Sequence, residues 1–132
     1  MSPEHDALLE ANAAFYAAFS ARDFTAIDAL WARNVEVAVL HPGWPAVIGR
    51  HAVLESWRTI VEGPQPPEIE CGDAEALVHG DSGFVLCIEH LSGGLLMATN
   101  AFVREASEWR MVHHHAGPAA GPRVRAESTP VQ

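Results

Sequence analysis

Beyond the Gly63-Pro64-Gln65-Pro66-Pro67 break, the sequence reads as four extended segments, about 68–79, 83–91, 94–105 and 108–116. They are separated only by Gly80-Asp81-Ser82-Gly83, Ser92-Gly93-Gly94 and Ala106-Ser107-Glu108. Connections this short join neighbouring antiparallel strands, because a parallel return needs a crossover of about a dozen residues or more. Half of the chain is thereby committed to an antiparallel meander, and the remainder must cover one of its faces.

The first half supplies that cover. From about Glu4 to Ala21, Leu8, Asn12, Phe15 and Phe19 recur at three- and four-residue steps, which predicts a helix with one buriable face. Arg22-Asp23 interrupts it, with Asp23 placed to cap a second helix built on Phe24, Ile27, Leu30 and Trp31. From Asn34 the period falls to two: Val35, Val37 and Val39 point one way, Glu36, Ala38 and Leu40 the other. This predicts a strand ending at His41-Pro42-Gly43, then a loop carrying Trp44 and a short extended piece, Ala46-Val47-Ile48. Ala52 to Glu62 returns to the helical period through Val53, Leu54, Trp57, Ile60 and Val61.

The predicted class is α+β, in the order α-α-β-β-α-β-β-β-β, with three N-terminal helices packed on a curved, mainly antiparallel sheet. Residues 1–117 are expected to form one domain, since 132 residues at 48% hydrophobic content hold one core. Residues 118–132, rich in Pro and Gly, form an expected extended or mobile tail.

Composition narrows the partners. The longest apolar stretches fall well short of the roughly 20 residues that cross a bilayer, so no membrane partner is expected. Met1 to Asp6 lack the basic and apolar regions of a secretory signal, and the expected location is cytoplasmic. A net charge of -9 opposes binding to phosphate backbones, which excludes nucleic acid as an expected partner. Cys71 and Cys87 flank the Gly80–Gly83 turn; in a hairpin centred there, Cys71 faces a position near 91 and Cys87 one near 75. A disulfide is therefore disfavoured, and two reduced thiols are expected.

Several short motifs carry a resemblance. They are Ala17-Ala18-Phe19-Ser20-Ala21-Arg22-Asp23 with Ala29-Leu30-Trp31, His41-Pro42, Ile48-Gly49-Arg50-His51-Ala52-Val53 before Trp57, and Trp109-Arg110-Met111-Val112-His113-His114-His115. With the element order, they resemble the nuclear-transport-factor-2-like superfamily over about residues 6–117, and within it the SnoaL-like domains. The superfamily includes ketosteroid isomerase, SnoaL-type polyketide cyclases and scytalone dehydratase. The resemblance implies a cystatin-like cone with an apolar pocket, a small hydrophobic ligand and a homodimer. It does not imply one reaction, since this scaffold hosts enzymes, binders and assembly modules.

In ketosteroid isomerases a carboxylate abstracts the substrate proton, while a tyrosine and a protonated aspartic acid stabilise the oxyanion. Carried over without gaps, the base position falls at Val39, the tyrosine position at Phe15 with Tyr16 one residue away, and the third near Asn100. Val39 and Phe15 cannot exchange protons, so carboxylate-based isomerisation is disfavoured. Scytalone dehydratase, which uses histidines and an acid, is an analogy in kind.

Strand parity then selects among the histidines. If Val35, Val37 and Val39 face the pocket, so does His41; on the last strand Trp109, Met111, His113 and His115 share a face while His114 takes the other. The candidate catalytic residues are His113, His115 and His41, because imidazole serves as acid or base near neutral pH. The expected pocket residues are Phe15, Tyr16, Phe19, Val39, Trp44, Trp57, His90, Asn100 and Met111. Trp31 and Trp109 read as core, and Trp44 as a candidate for the pocket mouth. Glu89, the one acid in the apolar run Phe84 to Leu91, lies by alternation opposite Phe84, Leu86, Ile88 and His90, towards solvent or a partner subunit. No cofactor and no metal are expected; a metal reading would need His41 as a third ligand beside His113 and His115.

Two functions stay open. One is a ligand-binding SnoaL-like protein with histidine-assisted isomerase, cyclase or dehydratase activity. The other is a non-catalytic homodimeric module with a vestigial pocket.

Overall fold

The computed structural model describes residues 2–121 and 123–126. The elements are α1 (Pro3–Ser20), α2 (Phe24–Leu30), β1 (Ala38–Leu40), β2 (Val47–Ile48), α3 (Arg50–Val61), β3 (Glu70–His79), β4 (Ser82–Leu91), β5 (Gly94–Glu105) and β6 (Glu108–Gly117). The six strands form one open sheet in the order β2-β1-β6-β5-β4-β3. Only β1 and β6 run parallel; every other neighbouring pair is antiparallel. With the helices over one face, this is the α+β cone that the meander and the preceding helices require.

Local chemistry starts and stops the elements. Ser2 caps α1 by accepting from the His5 N–H, and Pro3 occupies a first-turn position where its missing N–H costs nothing. Asp23 caps α2 through the Ala26 N–H at 3.1 Å. Arg50, opening α3, donates to the carbonyls of Ala32 and Asp28 and to the Asp28 carboxylate, which fastens α3 to the end of α2. At the β3–β4 hairpin His79 faces Ser82, so Gly80 and Asp81 make a two-residue turn with Gly80 at φ 65°. Gly83 allows a close approach: a Cβ there would stand 2.8 Å from both the Leu77 carbonyl and Leu8 Cδ2.

The first strand begins later than its alternation predicts. Residues 33–37 are irregular, and pairing starts at Ala38. The cause is tertiary, because the N–H groups of Arg33 and Asn34 donate to the Glu105 carboxylate rather than to a strand. Val35 is consequently 46% exposed, while Val37 and Val39 are buried as expected.

Two bulges break the regular register. One lies between Gly72 and Glu75 on β3, where Asp73 adopts φ 51°. The other lies on β6: Phe102 pairs with Met111, but Ala101 pairs with His113, so Val112 is the extra residue. Its consequence is large, because one added residue moves every later side chain of β6 to the opposite face.

The core between sheet and helices is built on Leu8, Phe15, Ile27, Trp31, Val53, Val85, Phe102 and Met111. After Gly117 the described residues carry neither helix nor strand. Arg123 and Arg125 both pair with Glu75 of β3, and Arg123 also donates to the Asp73 carbonyl. The rest of the predicted tail, residues 122 and 127–132, lies outside the described residues.

Candidate active site

Under α1 and α3, where the inner face of the sheet is not filled by side chains, lies a cavity of about 340 Å³. Phe15, Phe19, Trp44, Trp57, Ile60, Ile69, Leu91 and Leu96 make its apolar walls. Tyr16, His41, Glu89 and His114 are its proton-carrying groups, and among the described residues no arginine or lysine lines it. A larger hollow of about 760 Å³ between the α1 end and the β4–β5 turn holds His90, but its rim is the exposed charge of Arg22, Glu68 and Glu70. The smaller cavity combines apolar walls with four buried titratable groups, the combination expected of a site.

Asn100 organises the polar groups. Its amide nitrogen donates to Asn12 Oδ1 at 2.8 Å and to the Tyr16 oxygen at 3.0 Å. Its oxygen is therefore the acceptor for His114 Nδ1, 2.6 Å away, which must carry the hydrogen. That bond leaves the lone pair of His114 on Nε2, which lies 3.8 Å from Glu89 Oε2. The Tyr16 hydroxyl donates to the same Glu89 oxygen at 2.6 Å. Next to His114, with ring centroids 6.3 Å apart, stands His41; the Ser56 hydroxyl donates to the Val53 carbonyl at 2.6 Å and so accepts from His41 Nε2 at 2.9 Å. The His41 ring packs edge-on against Trp44 and Trp57, with centroids 4.7 and 4.6 Å away.

Burial sets the protonation states. It lowers His114 to about 3, helped by the neighbouring imidazoles of His41, His113 and His115. It lowers His41 to about 4. Both rings are uncharged at neutral pH. Burial raises the Glu89 carboxyl above the usual range, opposed by the hydrogen bond from Tyr16, and burial with the nearby Glu89 charge raises the Tyr16 phenol. The arrangement is a carboxyl that can hold a proton facing a neutral imidazole nitrogen that can take one, inside an apolar chamber.

The sequence matches the SnoaL-like domain model over residues 8–121. The chain belongs to this family. The SnoaL-like domain is 32% identical to a proposed dehydratase of the nuclear-transport-factor-2-like family from Streptomyces avermitilis, with 89% of this chain and 97% of that one covered at a TM-score of 0.80. It is 34% identical to a proposed calcium/calmodulin-dependent protein kinase type II association domain from Thiobacillus denitrificans, covering 89% and 95% at a TM-score of 0.74. A ketosteroid isomerase-like protein from Erwinia carotovora atroseptica shares the fold at 17% identity, covering 92% and 100% at a TM-score of 0.69. No curated protein matches the chain.

In the SnoaL-like domain, Phe15, Tyr16, Phe19, Trp44 and Trp57 line the cavity together with His41. Asn100, Val39 and Met111 are fully buried and stand behind the lining rather than in it. Trp31 and Trp109 are core residues, and Trp44, 38% exposed, edges the cavity. His90 faces the neighbouring hollow and not the cavity.

The parity expectation for β6 is corrected. Trp109 and Met111 do point inward, but the extra residue Val112 inverts the faces beyond it, so His114 is inside at 3% exposure. His113 and His115 stand on the outer face, His113 bonded through Nδ1 to the Ala38 carbonyl at 2.9 Å. The expectation for Glu89 is corrected too: it is 2% exposed and belongs to the cavity wall. Alternation had rightly separated it from Phe84, Leu86, Ile88 and His90. It is the Val85, Cys87, Glu89 set that faces the helices, and both faces of β4 are apolar enough that hydrophobicity does not distinguish them. Lone polar residues in apolar patterns were the available signal for the missed pair: Asn12 on the buried face of α1, and Glu89 within β4.

The thiols are both free, Cys87 buried and Cys71 partly so. Cys71 pairs in register with Glu89 rather than with position 91. The Tyr16 hydroxyl lies 3.4 Å from Cys87 Sγ, and the Asn12 amide 3.7 Å from Cys71 Sγ.

Proposed function

We propose that this SnoaL-like protein is an acid–base enzyme that binds a small, uncharged hydrophobic molecule and eliminates water from it. The observation that carries this reading is the Tyr16, Glu89 and His114 group in the wall of an otherwise apolar cavity. A molecule held there is desolvated, and among the described residues no cationic side chain lines the walls to pair with a charged ligand.

In the proposed reaction, His114 Nε2 removes a proton from a carbon next to a carbonyl. The C–H electron pair becomes a carbon–carbon double bond as the C–O bond on the adjacent carbon breaks. The leaving hydroxyl takes the proton of Glu89 and departs as water. The proton gained by His114 then returns to Glu89, which restores both groups. His41, held by Ser56 beside His114, orients the ligand as a second neutral imidazole. Isomerisation or cyclisation would use the same proton transfers with a different return site. Dehydration is preferred because the Streptomyces avermitilis relative, 32% identical, is itself a proposed dehydratase.

The test offers the protein a panel of hydrophobic β-hydroxy carbonyl compounds and follows formation of the conjugated product by absorbance. Glu89→Gln keeps the shape and the contact with Tyr16 but removes the transferable proton. It is expected to lower turnover by about 10²–10⁴-fold, the usual contribution of a positioned acid or base. His114→Gln is expected to fall similarly. Turnover equal to wild type in both variants would overturn the assignment.

A second reading concerns assembly and rests on the outer face of the sheet, where Ile48 is 75% exposed and Leu95 44%. The Thiobacillus denitrificans relative, a proposed association domain, supports a homo-oligomer built on this scaffold. Light scattering at micromolar concentration is expected to return the mass of a dimer or larger assembly. A monomer mass throughout would refute it.

A further inference from the structure

We infer that His113 and His115 form a chelating site for a borderline divalent metal ion, such as zinc or nickel, on the outer face of the sheet and apart from the cavity. Beyond the Val112 bulge the two residues alternate regularly, so both side chains leave the same face of β6. Their ring centroids are 6.3 Å apart and their planes cross at 68°. An ion with metal–nitrogen bonds of about 2.0–2.1 Å spans that gap after a modest rotation of His115, which is exposed and free to turn.

The tautomer of His113 is already set. The Ala38 carbonyl can only accept, so the ring donates from Nδ1 at 2.9 Å and keeps its lone pair on Nε2. A backbone carbonyl holding one ring nitrogen while the other faces outward is the usual support behind a metal-binding imidazole. Thr99 faces His115 in the register, and Thr99, Met97 and His115 share a hollow of about 210 Å³. A hydroxyl and a thioether are thus the next donors at hand, and water completes the coordination. Imidazole donors select zinc, nickel and copper over magnesium or calcium.

The site consists of this pair. Among the described residues, no cluster of three or more His, Cys, Asp or Glu is arranged for a metal. His41 and His114, on the inner face, are committed to Ser56 and Asn100 and cannot join it.

The experiment titrates the untagged chain with Ni²⁺ and, separately, with Zn²⁺ in a calorimeter. Wild type is expected to bind one ion per chain at this site. His115→Ala and His113→Ala are each expected to weaken binding by at least about 10-fold, since each removes one of two protein ligands. The double variant is expected to lose the site, while His90→Ala, an exposed histidine on another part of the surface, leaves it unchanged. His113 also holds β1, so if His113→Ala does not fold, His115→Ala alone carries the test, its side chain having no structural bond to lose. No binding to folded wild type at 100 µM metal, or wild-type affinity in the His115→Ala chain, would overturn the assignment.

Discussion

An Asn100→Ala chain is expected to lose about 3–5 kcal/mol of stability, read as a lowered urea midpoint at unchanged slope. Asn100 is completely buried and serves three other buried groups at once. Its amide hydrogens satisfy Asn12 Oδ1 and the Tyr16 oxygen, both on α1, and its oxygen accepts from His114 on β6. Truncation leaves Asn12 Oδ1 and His114 Nδ1 without partners, while the Tyr16 hydroxyl keeps its bond to Glu89, and each orphaned group costs about 1–3 kcal/mol. The void adds to this, so a sum at the upper end of ordinary single substitutions follows. Asn100→Asp would not repair the network, because it supplies acceptors where Asn12 and Tyr16 need donors and buries a charge. Asn100 also fixes which nitrogen of His114 is bare, so ligand turnover should disappear even at temperatures where the variant is folded. A loss below about 1 kcal/mol would mean that the network contributes little to holding α1 on the sheet.

The second large effect is acid sensitivity. In the folded chain His41 and His114 stay neutral down to about 4 and about 3, because burial penalises their charged forms. In the unfolded chain both rings protonate near 6.5. A folded pKa below the unfolded one means that the unfolded state binds more protons, so stability is present above about pH 6.5 and is lost as pH falls towards 4 and 3. Two protons correspond to a slope of about 2.7 kcal/mol per pH unit at its steepest. Glu89 acts in the opposite direction, since its raised folded pKa holds a proton that the unfolded chain releases above about 4.3. Above about pH 4.3 Glu89 therefore subtracts from that slope. Urea midpoints at pH 7, 5.5 and 4.5 measure this, and His114→Gln, which cannot protonate, should flatten the fall markedly. Stability independent of pH across that range would contradict neutral burial of the two rings.

Both effects arise from residues that sequence patterns treat unequally. His41 is found by parity through Val37 and Val39, and Asn100 by the family resemblance, although Asn100 stands behind the cavity lining. His114 is not found by parity, since the bulge at Val112 exchanges the faces of β6 and hands the inward place from His113 and His115 to the residue between them. A bulge is a response to the neighbouring strands, and nothing in Arg110-Met111-Val112-His113 announces it. Glu89 escapes for a different reason. Its strand carries Phe84, Leu86 and Ile88 on one side and Val85, Cys87 and Leu91 on the other, and choosing the inner face requires knowing where the helices lie.

What the sequence by itself determined is the succession of elements, with the four meander strands placed to within about two residues of their observed limits. Periods of two and 3.6, a capping aspartate at residue 23 and glycines in tight turns act over a few residues and can be read there. The tertiary structure alone decided which faces look inward, where β1 begins, and that a glutamate, a tyrosine and the middle histidine of three meet in one cavity. Those outcomes depend on distant partners: Glu105 claiming the N–H groups of Arg33 and Asn34, one extra residue reversing β6, and α1 bringing Tyr16 to Glu89 across 73 positions of chain.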